Sequence, residues 1–208
     1  MWKEILKGYV NLPDIKIPRF CLPSSKVSKS KIRLICLADA AKCVGGAAIY
    51  AGKEVSKGNW SCTLLAAKSK MMHETIPRNE LSAILLCAEL AFMVKIALGD
   101  QIGEVIFVTH STIAMSWCSN PTIQLRLFVY NRVTTILRLF EWTSGVKNNQ
   151  LFHIDKELNL ADLLMKKHDI KIEDVSKGSE WIEGLDWMNK DRGDALGRSC
   201  SFEHWETN

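Results

Sequence analysis

The order of apolar segments in this chain predicts an α/β fold, with helices on both faces of a five-stranded mixed sheet. Three short apolar runs joined by short links come first, which is typical of an antiparallel meander. Two further runs follow, each after a segment whose apolar residues have helical spacing, which indicates helical crossovers. The predicted order is therefore β-β-β-α-β-α-α-β-α, with three antiparallel strands first.

Each predicted element is bounded by residues that start or stop it. The strands are predicted at residues 32–38, 45–51, 62–67, 104–109 and 151–154. The long helix has Thr75 as its N-cap and Pro77 in its first turn, where a missing N–H costs nothing, and it ends at Gly99. Shorter helices are predicted at residues 112–118, 127–140 and 159–167, the last with Asn159 as its N-cap.

The 208 residues, 47% of them hydrophobic, predict one globular domain with extensions. Residues 1–30 are expected to form an N-terminal connecting segment and linker, and residues 31–168 the compact domain. Residues 169–208 form a charged, Trp-containing C-terminal extension, which we expect to pack loosely on the domain or to be partly disordered.

The charge and cysteine patterns narrow the class of protein. A net charge of +4 is compatible with a nucleic-acid partner, but no dense basic block is present. Seven cysteines without a Cys-x-x-Cys pair predict reduced thiols, no structural zinc and an intracellular location, cytoplasmic or nuclear. We expect no secretory signal, because the N-terminal residues contain no uninterrupted apolar core. We also expect no membrane partner, because Glu89 and Lys95 interrupt the longest apolar stretch, 81–98.

Four positions carry the pattern typical of a metal-dependent nuclease. Asp39 ends the first strand, Glu80 lies in the first turn of the long helix, His110 ends the fourth strand, and Asp162 lies in the first turn of the last helix. Two-metal hydrolysis of a phosphodiester needs several converging carboxylates, with one ion activating water and the other stabilising the leaving oxygen. Each residue also has a simpler interpretation, since acidic residues favour helix starts and turns.

The chain resembles the ribonuclease H region of BEL/Pao-type retrotransposon Pol polyproteins. The resemblance rests on blocks spread over residues 2–190: Ile17-Pro-Arg19, Ala38-Asp39-Ala40, Ala66-Ala-Lys-Ser-Lys70, Thr75-Ile-Pro-Arg-Asn-Glu-Leu81, Thr109-His-Ser-Thr-Ile113, Ser116-Trp117, Phe128-Val-Tyr-Asn-Arg-Val133, Asn159-Leu-Ala-Asp-Leu163, and Trp181, Gly184 and Trp187. It implies a ribonuclease H-like fold and a hydrolase that cleaves the RNA strand of RNA–DNA hybrids. It also implies that Asp39, Glu80 and Asp162 are metal ligands, holding two Mg²⁺ ions in an intact site.

His110 stands where the family has aspartate, and this departure puts catalysis in question. A neutral imidazole is a poor Mg²⁺ ligand and brings no negative charge. If protonated beside the carboxylates, it could pair with Asp39 or Asp162 and close the site without metal. We therefore expect little Mg²⁺-dependent hydrolysis, with Mn²⁺ or no ion as the alternatives.

Nucleic-acid contacts are expected beside the acidic positions. The candidates are Lys68, Lys70, Arg78, Asn79 and Ser111, although the same residues could form an ordinary polar rim. Three hypotheses follow: a ribonuclease H, active or impaired; a non-catalytic nucleic-acid-binding or structural module on the same fold; and an unrelated α/β domain. The expected partners are an RNA–DNA hybrid or other nucleic acid and the reverse-transcriptase part of a parent polyprotein.

Overall fold

Five strands form one mixed sheet in the order β3-β2-β1-β4-β5. They are β1 Ile32–Ala40, β2 Val44–Ser56, β3 Asn59–Met71, β4 Ile102–Thr109 and β5 Leu151–His153. This computed structural model describes residues 31–119, 124–144, 151–165, 172–176 and 178–190. Predictions for residues 1–30 and 191–208 lie outside the described residues. The α/β fold class with a five-stranded mixed sheet is confirmed.

The first three strands form the predicted antiparallel meander, but they are longer than the apolar runs indicated. β1 pairs with β2 from Arg33 opposite Gly52 to Ala40 opposite Gly45, and β2 pairs with β3 along most of its length, with two register irregularities. Gly58, with φ 79°, occupies the tight turn between β2 and β3, a conformation that costs glycine little. The predicted bounds were too short because polar residues continue the backbone pairing past each apolar run.

Strands β1, β4 and β5 are parallel, as their helical connections require. The connecting helices are α1 Ile76–Leu98, α2 Thr112–Ser119 and α3 Leu127–Ser144. Parallel pairing brings the carboxyl ends of β1, β4 and β5 to the same edge of the sheet. That edge is where the acidic pattern was predicted.

Helix α1 is the core helix of one face. Pro77 lies in its first turn and Gly99 ends it, as predicted, whereas Thr75 occupies the N-cap position without a side-chain cap bond. By length and composition, Ile76–Gln101 is apolar enough to cross a membrane. The core helix of a folded domain meets the same criteria, and nine residues of α1 are buried in this structure.

The predicted last helix is a 3-10 helix in its described part, Leu160–Met165. Asn159 precedes it and its Oδ1 accepts a hydrogen bond from the Ala161 N–H at 3.2 Å, so the predicted cap is present. The helix lies against β1 and β2, and a Cβ at Gly46 would meet Leu164 at 2.8 Å. Glycine at this position therefore lets the short helix approach the sheet closely.

The C-terminal extension contributes to the core of the second face. Trp181 and Trp187 are each 8% exposed and pack in a cluster with strand residues such as Tyr50. The Tyr50 hydroxyl donates a hydrogen bond to the Trp181 carbonyl at 2.8 Å. This part of the extension packs closely, not loosely as expected, because its aromatic side chains cover apolar residues that the sheet would otherwise expose.

Candidate functional site

Parallel pairing places Asp39 and His110 side by side. Ala38 of β1 is paired with Thr109 of β4, so the residues that follow them lie next to each other at the carboxyl edge. Glu80 approaches from α1, where it is the fifth residue and thus lies just beyond the first turn in which it was predicted. The structure therefore brings three of the four predicted residues together.

The three side chains form a tight, mostly buried group that could hold a metal ion. His110 Nδ1 lies 3.1 Å from Asp39 Oδ1, and His110 Nε2 lies 3.5 Å from Glu80 Oε1. One potential ligand atom from each residue lies within 4.8 Å of the others. The side chains of Asp39 and Glu80 are 1% and 5% exposed, whereas that of His110 is 24% exposed. The imidazole thus lies edge-on between the two carboxylates and faces solvent on one side.

Each of the three residues has one buried atom without a hydrogen-bond partner. These atoms are Asp39 Oδ2, Glu80 Oε2 and His110 Nδ1. The other Asp39 oxygen accepts a hydrogen bond from the Ala40 N–H at 2.8 Å. His110 Nδ1 nevertheless makes the 3.1 Å ion-pair contact with Asp39 Oδ1. Buried polar atoms are normally paired, so the group has unused capacity to bind a ligand or a proton.

Burial and neighbouring charges perturb the titration of this group. Burial raises the pKa of Glu80 to about 7, opposed by His110 and increased by Asp39. The pKa of His110 is raised above its usual value, mainly because Asp39 is adjacent and also because Glu80 is near, while burial acts in the opposite direction. The site therefore favours an added positive charge.

Asp162 is not part of this group. It lies half-buried in the 3-10 helix Leu160–Met165, and the cluster of potential ligands comprises only the other three residues. The neighbouring Asn159 connects that helix to β1, because its side-chain amide donates a hydrogen bond to the Ala38 carbonyl at 2.9 Å. Asn159 thus supports the backbone beside Asp39, a role that its predicted capping function did not include.

Among the predicted nucleic-acid contacts, Lys68 and Lys70 are exposed on β3. Both lysines pair with residues of β2, and these β2 residues pair in turn with β1. Lys68 is thereby aligned with Ala38, and Lys70 with Ala40. Neighbouring strands are roughly 5 Å apart, so these lysines lie two strands from Asp39 at the same end of the sheet.

Two of the other candidates have structural roles instead of exposed contacts. Asn79 is fully buried, donates hydrogen bonds to the carbonyls of Ala41 and Lys42, and accepts one from the backbone N–H of Glu74. Its side-chain amide is therefore hydrogen-bonded within the protein in this structure. The Ser111 hydroxyl accepts a hydrogen bond from the Ala114 N–H at 3.3 Å and so caps α2.

Arg78 and Lys156 complete the charged surroundings. Arg78 forms an ion pair with Glu74 at 3.0 Å and is half-buried. Lys156, which no sequence pattern singled out, is exposed in the turn after β5 and lowers the pKa values of both Glu80 and His110. The edge carrying the site is therefore flanked by cations from β3 and from the turn after β5.

The donor set does not fit a pair of Mg²⁺ ions. Mg²⁺ prefers oxygen ligands in near-octahedral geometry, but the described group offers two carboxylates and an imidazole nitrogen. The imidazole occupies the space between the carboxylates and supplies no negative charge in its neutral form.

Comparisons with known proteins give a match to one family model and several similar solved structures. Three solved structures are similar, each over 62% of this chain. They are the N-terminal RNase H domain of a Mycobacterium tuberculosis protein fused to maltose binding protein (12% identity, 86% of that chain, TM-score 0.44), RNase H1 of Halobacterium salinarum (11%, 89%, 0.39), and LC11-RNase H1 in complex with an RNA/DNA hybrid (20%, 88%, 0.40). The comparison with curated proteins finds no match.

The family model of the Pao retrotransposon-like RNaseH-like domain matches residues 1–111, more than half of the 208 residues. The matched region ends just past His110 and includes the three clustered side chains. The resemblance read from the sequence motifs is thereby confirmed. The chain belongs to the family of Pao retrotransposon-like RNaseH-like domains.

Proposed function

We propose that this RNase H-like domain binds nucleic acid, with an RNA–DNA hybrid as its partner, and that His110 strongly reduces Mg²⁺-dependent hydrolysis. The observation that carries the proposal is the position of the imidazole, within 3.1 Å of Asp39 and 3.5 Å of Glu80. A ring between the two carboxylates keeps them from acting as an all-oxygen site. The reverse-transcriptase part of a parent polyprotein and an intracellular location are proposed on the family resemblance and the cysteine pattern alone.

Reduced hydrolysis follows from the ligand chemistry. Aspartate at position 110 would add a third carboxylate beside Asp39 and Glu80, whereas neutral histidine adds only a nitrogen. A protonated His110 would bring positive charge to the place where a cation has to bind. Either protonation state weakens Mg²⁺ binding, and weak binding of the ions removes their contribution to hydrolysis.

Binding of a hybrid is supported by cations on both sides of the site. Lys68 and Lys70 lie on the β3 side and Lys156 on the β5 side of the same sheet edge. Cations so placed can contact backbone phosphates, which dominate nucleic-acid affinity and make it salt-dependent. Recognition of a hybrid would also use shape and 2′-hydroxyl groups.

The test of impaired hydrolysis compares the chain with His110→Asp on a labelled RNA–DNA hybrid in Mg²⁺. We expect little cleavage by the chain and a large increase with His110→Asp, because the substitution restores an oxygen ligand. A matched control adds Asp39→Asn to His110→Asp and should lose the restored activity. Robust Mg²⁺-dependent cleavage by the unsubstituted chain would show that His110 does not impair the site.

A separate assay measures hybrid binding in EDTA, so that metal and cleavage play no part. We expect affinity to fall with salt, and Lys68→Ala with Lys70→Ala to reduce the slope by roughly two. Lys57→Ala, in the turn at the opposite end of the sheet, should leave affinity nearly unchanged. No measurable affinity for RNA–DNA hybrid at low salt would refute the binding part of the proposal.

The second candidate is a non-catalytic nucleic-acid-binding or structural module on this fold, favoured by the presence of His110 between the carboxylates of Asp39 and Glu80. The two assays separate it from an impaired nuclease. Hybrid binding without any cleavage, even after His110→Asp, would favour the module. Restored cleavage would favour a scaffold that still supports hydrolysis.

A further inference from the structure

We propose that Asp39, Glu80 and His110 form a site for one divalent transition-metal ion of the Zn²⁺ or Co²⁺ type, in preference to Mg²⁺. The inference rests on the part of the proposed function that makes Asp39 and Glu80 metal ligands. The ion is a transition metal instead of Mg²⁺, and its binding requires no nucleic acid.

Buried side-chain atoms without a hydrogen-bond partner are concentrated at this site. Among the described residues, five buried side-chain nitrogen or oxygen atoms lack a hydrogen-bond partner, and three of them belong to this group. They are one atom each from Asp39, Glu80 and His110. Because a buried polar atom without a partner is costly, their concentration at one place indicates a ligand that the chain itself does not supply.

The ligand atoms of the group, two carboxylates and one imidazole, suit a transition-metal ion. Imidazole nitrogen suits Zn²⁺ and Co²⁺, whereas Mg²⁺ prefers oxygen and loses its water ligands reluctantly. Replacing an aspartate with His110 therefore changes which ion the same sheet edge selects. Carboxylates remain acceptable ligands for Zn²⁺, so Asp39 and Glu80 need no change.

The charge of the three-residue group suits one divalent ion. Asp39 and Glu80 carry two negative charges when ionised, and one divalent ion neutralises them while a neutral imidazole adds none. Two divalent ions would bring four positive charges against the two carboxylates of this group. Buried charge without compensation is unfavourable, so the site should take one ion.

The geometry suits three protein ligands and an open position. The candidate ligand atoms lie within 4.8 Å of one another, and Zn²⁺ binds nitrogen and oxygen at roughly 2.0–2.2 Å. Small side-chain adjustments would bring all three onto one ion. The 24% exposure of His110, against 1% for Asp39, leaves a path by which the ion and one water could enter.

The experiment titrates the full-length, metal-free chain with Co²⁺ while recording visible absorption, and then adds Zn²⁺ or a large excess of Mg²⁺. We expect saturation at one Co²⁺ per chain, displacement by Zn²⁺ and no displacement by Mg²⁺. Zn²⁺ at about a hundredfold excess over Kd should raise Tm by roughly 5–10 °C, and Mg²⁺ should not.

Variants separate this site from adventitious binding. His110→Asn should weaken Co²⁺ and Zn²⁺ binding by on the order of tenfold or more, since losing a ligand costs at least as much as losing its supporting contact. His73→Ala, an exposed histidine outside the group, should leave it unchanged. Equal stabilisation by Mg²⁺, saturation at two ions, or unchanged binding by His110→Asn would each overturn the proposal.

The outcomes also distinguish this inference from the proposed function. Zn²⁺ binding without hybrid affinity would refute the nucleic-acid proposal and leave the metal site standing. Hybrid affinity with no transition-metal binding would overturn the metal site and leave nucleic-acid binding standing. Correct folding of each variant is checked by its metal-free Tm and circular dichroism.

Discussion

Glu80→Gln should remove a pH-dependent cost from the folded chain. Glu80 is 4% exposed, and burial raises its pKa from 4.5 to about 7. When the pKa of a carboxyl is higher in the folded than in the unfolded chain, the folded state binds its proton more tightly. The resulting stability is fully present at pH values below the unfolded pKa. That stability is lost as the pH rises through the folded value. At about 1.4 kcal/mol per pH unit, ionised Glu80 costs the folded state roughly 3 kcal/mol at pH 8.

Urea unfolding in EDTA at several pH values between 4.5 and 8 measures this cost. The free energy of unfolding of Glu80→Gln relative to the unsubstituted chain should increase with pH, by up to roughly 3 kcal/mol. His110 acts in the same direction, because its raised pKa also means that stability is lost as pH rises.

Glu89→Gln is the matched control for this experiment, since Glu89 is an exposed residue of the same helix. Its difference from the unsubstituted chain should stay nearly constant over the same pH range. A flat difference for Glu80→Gln as well would refute the reasoning that the buried carboxyl carries an ionisation cost.

Three further substitutions test the surroundings of the site. Asn159→Ala should lower the free energy of unfolding by about 2 kcal/mol, because two buried backbone groups lose their partner; urea unfolding checks it against Asn131→Ala, an exposed asparagine. Lys156→Ala should weaken hybrid binding and reduce its salt slope by about one, measured by fluorescence anisotropy, and an unchanged slope would contradict the placement of this lysine beside the site. Tyr50→Phe should cost about 1 kcal/mol, seen as a lower Tm, because it removes the hydrogen bond to the C-terminal extension.

Residues on regular elements could be placed from the sequence, because strand ends and helical spacing have fixed geometry. Asp39 and His110 lie at the carboxyl ends of strands that the sequence predicts, and the observed strand order makes those two strands neighbours. Glu80 shares a helical stripe with Ile84 and Cys87, and all three are buried on α1 as that spacing requires. The convergence of these side chains therefore follows from strand ends and helical spacing together with the observed pairing of β1 and β4.

Residues in short or irregular segments could not be placed in the same way. Asp162 lies in the first turn of its helix, as predicted, but the helix is of the 3-10 type, which spaces successive side chains differently from an α-helix. Lys156 begins a 3-10 helix of three residues, Lys156–Leu158, which is too short to show a periodic pattern. The partners of Asn79 are backbone groups of Ala41 and Lys42, more than thirty positions earlier, and no local pattern records such a contact.

The packing of Trp181, Trp187 and Met188 on the sheet bears on where the folding unit ends. These side chains, 8%, 8% and 1% exposed, cover the face that holds Tyr50 and Cys62. A protein truncated after residue 168 would present that apolar face to water and would be expected to aggregate. Gene fragments meant to yield a foldable unit, in the laboratory or in a genome, should therefore extend at least through Lys190.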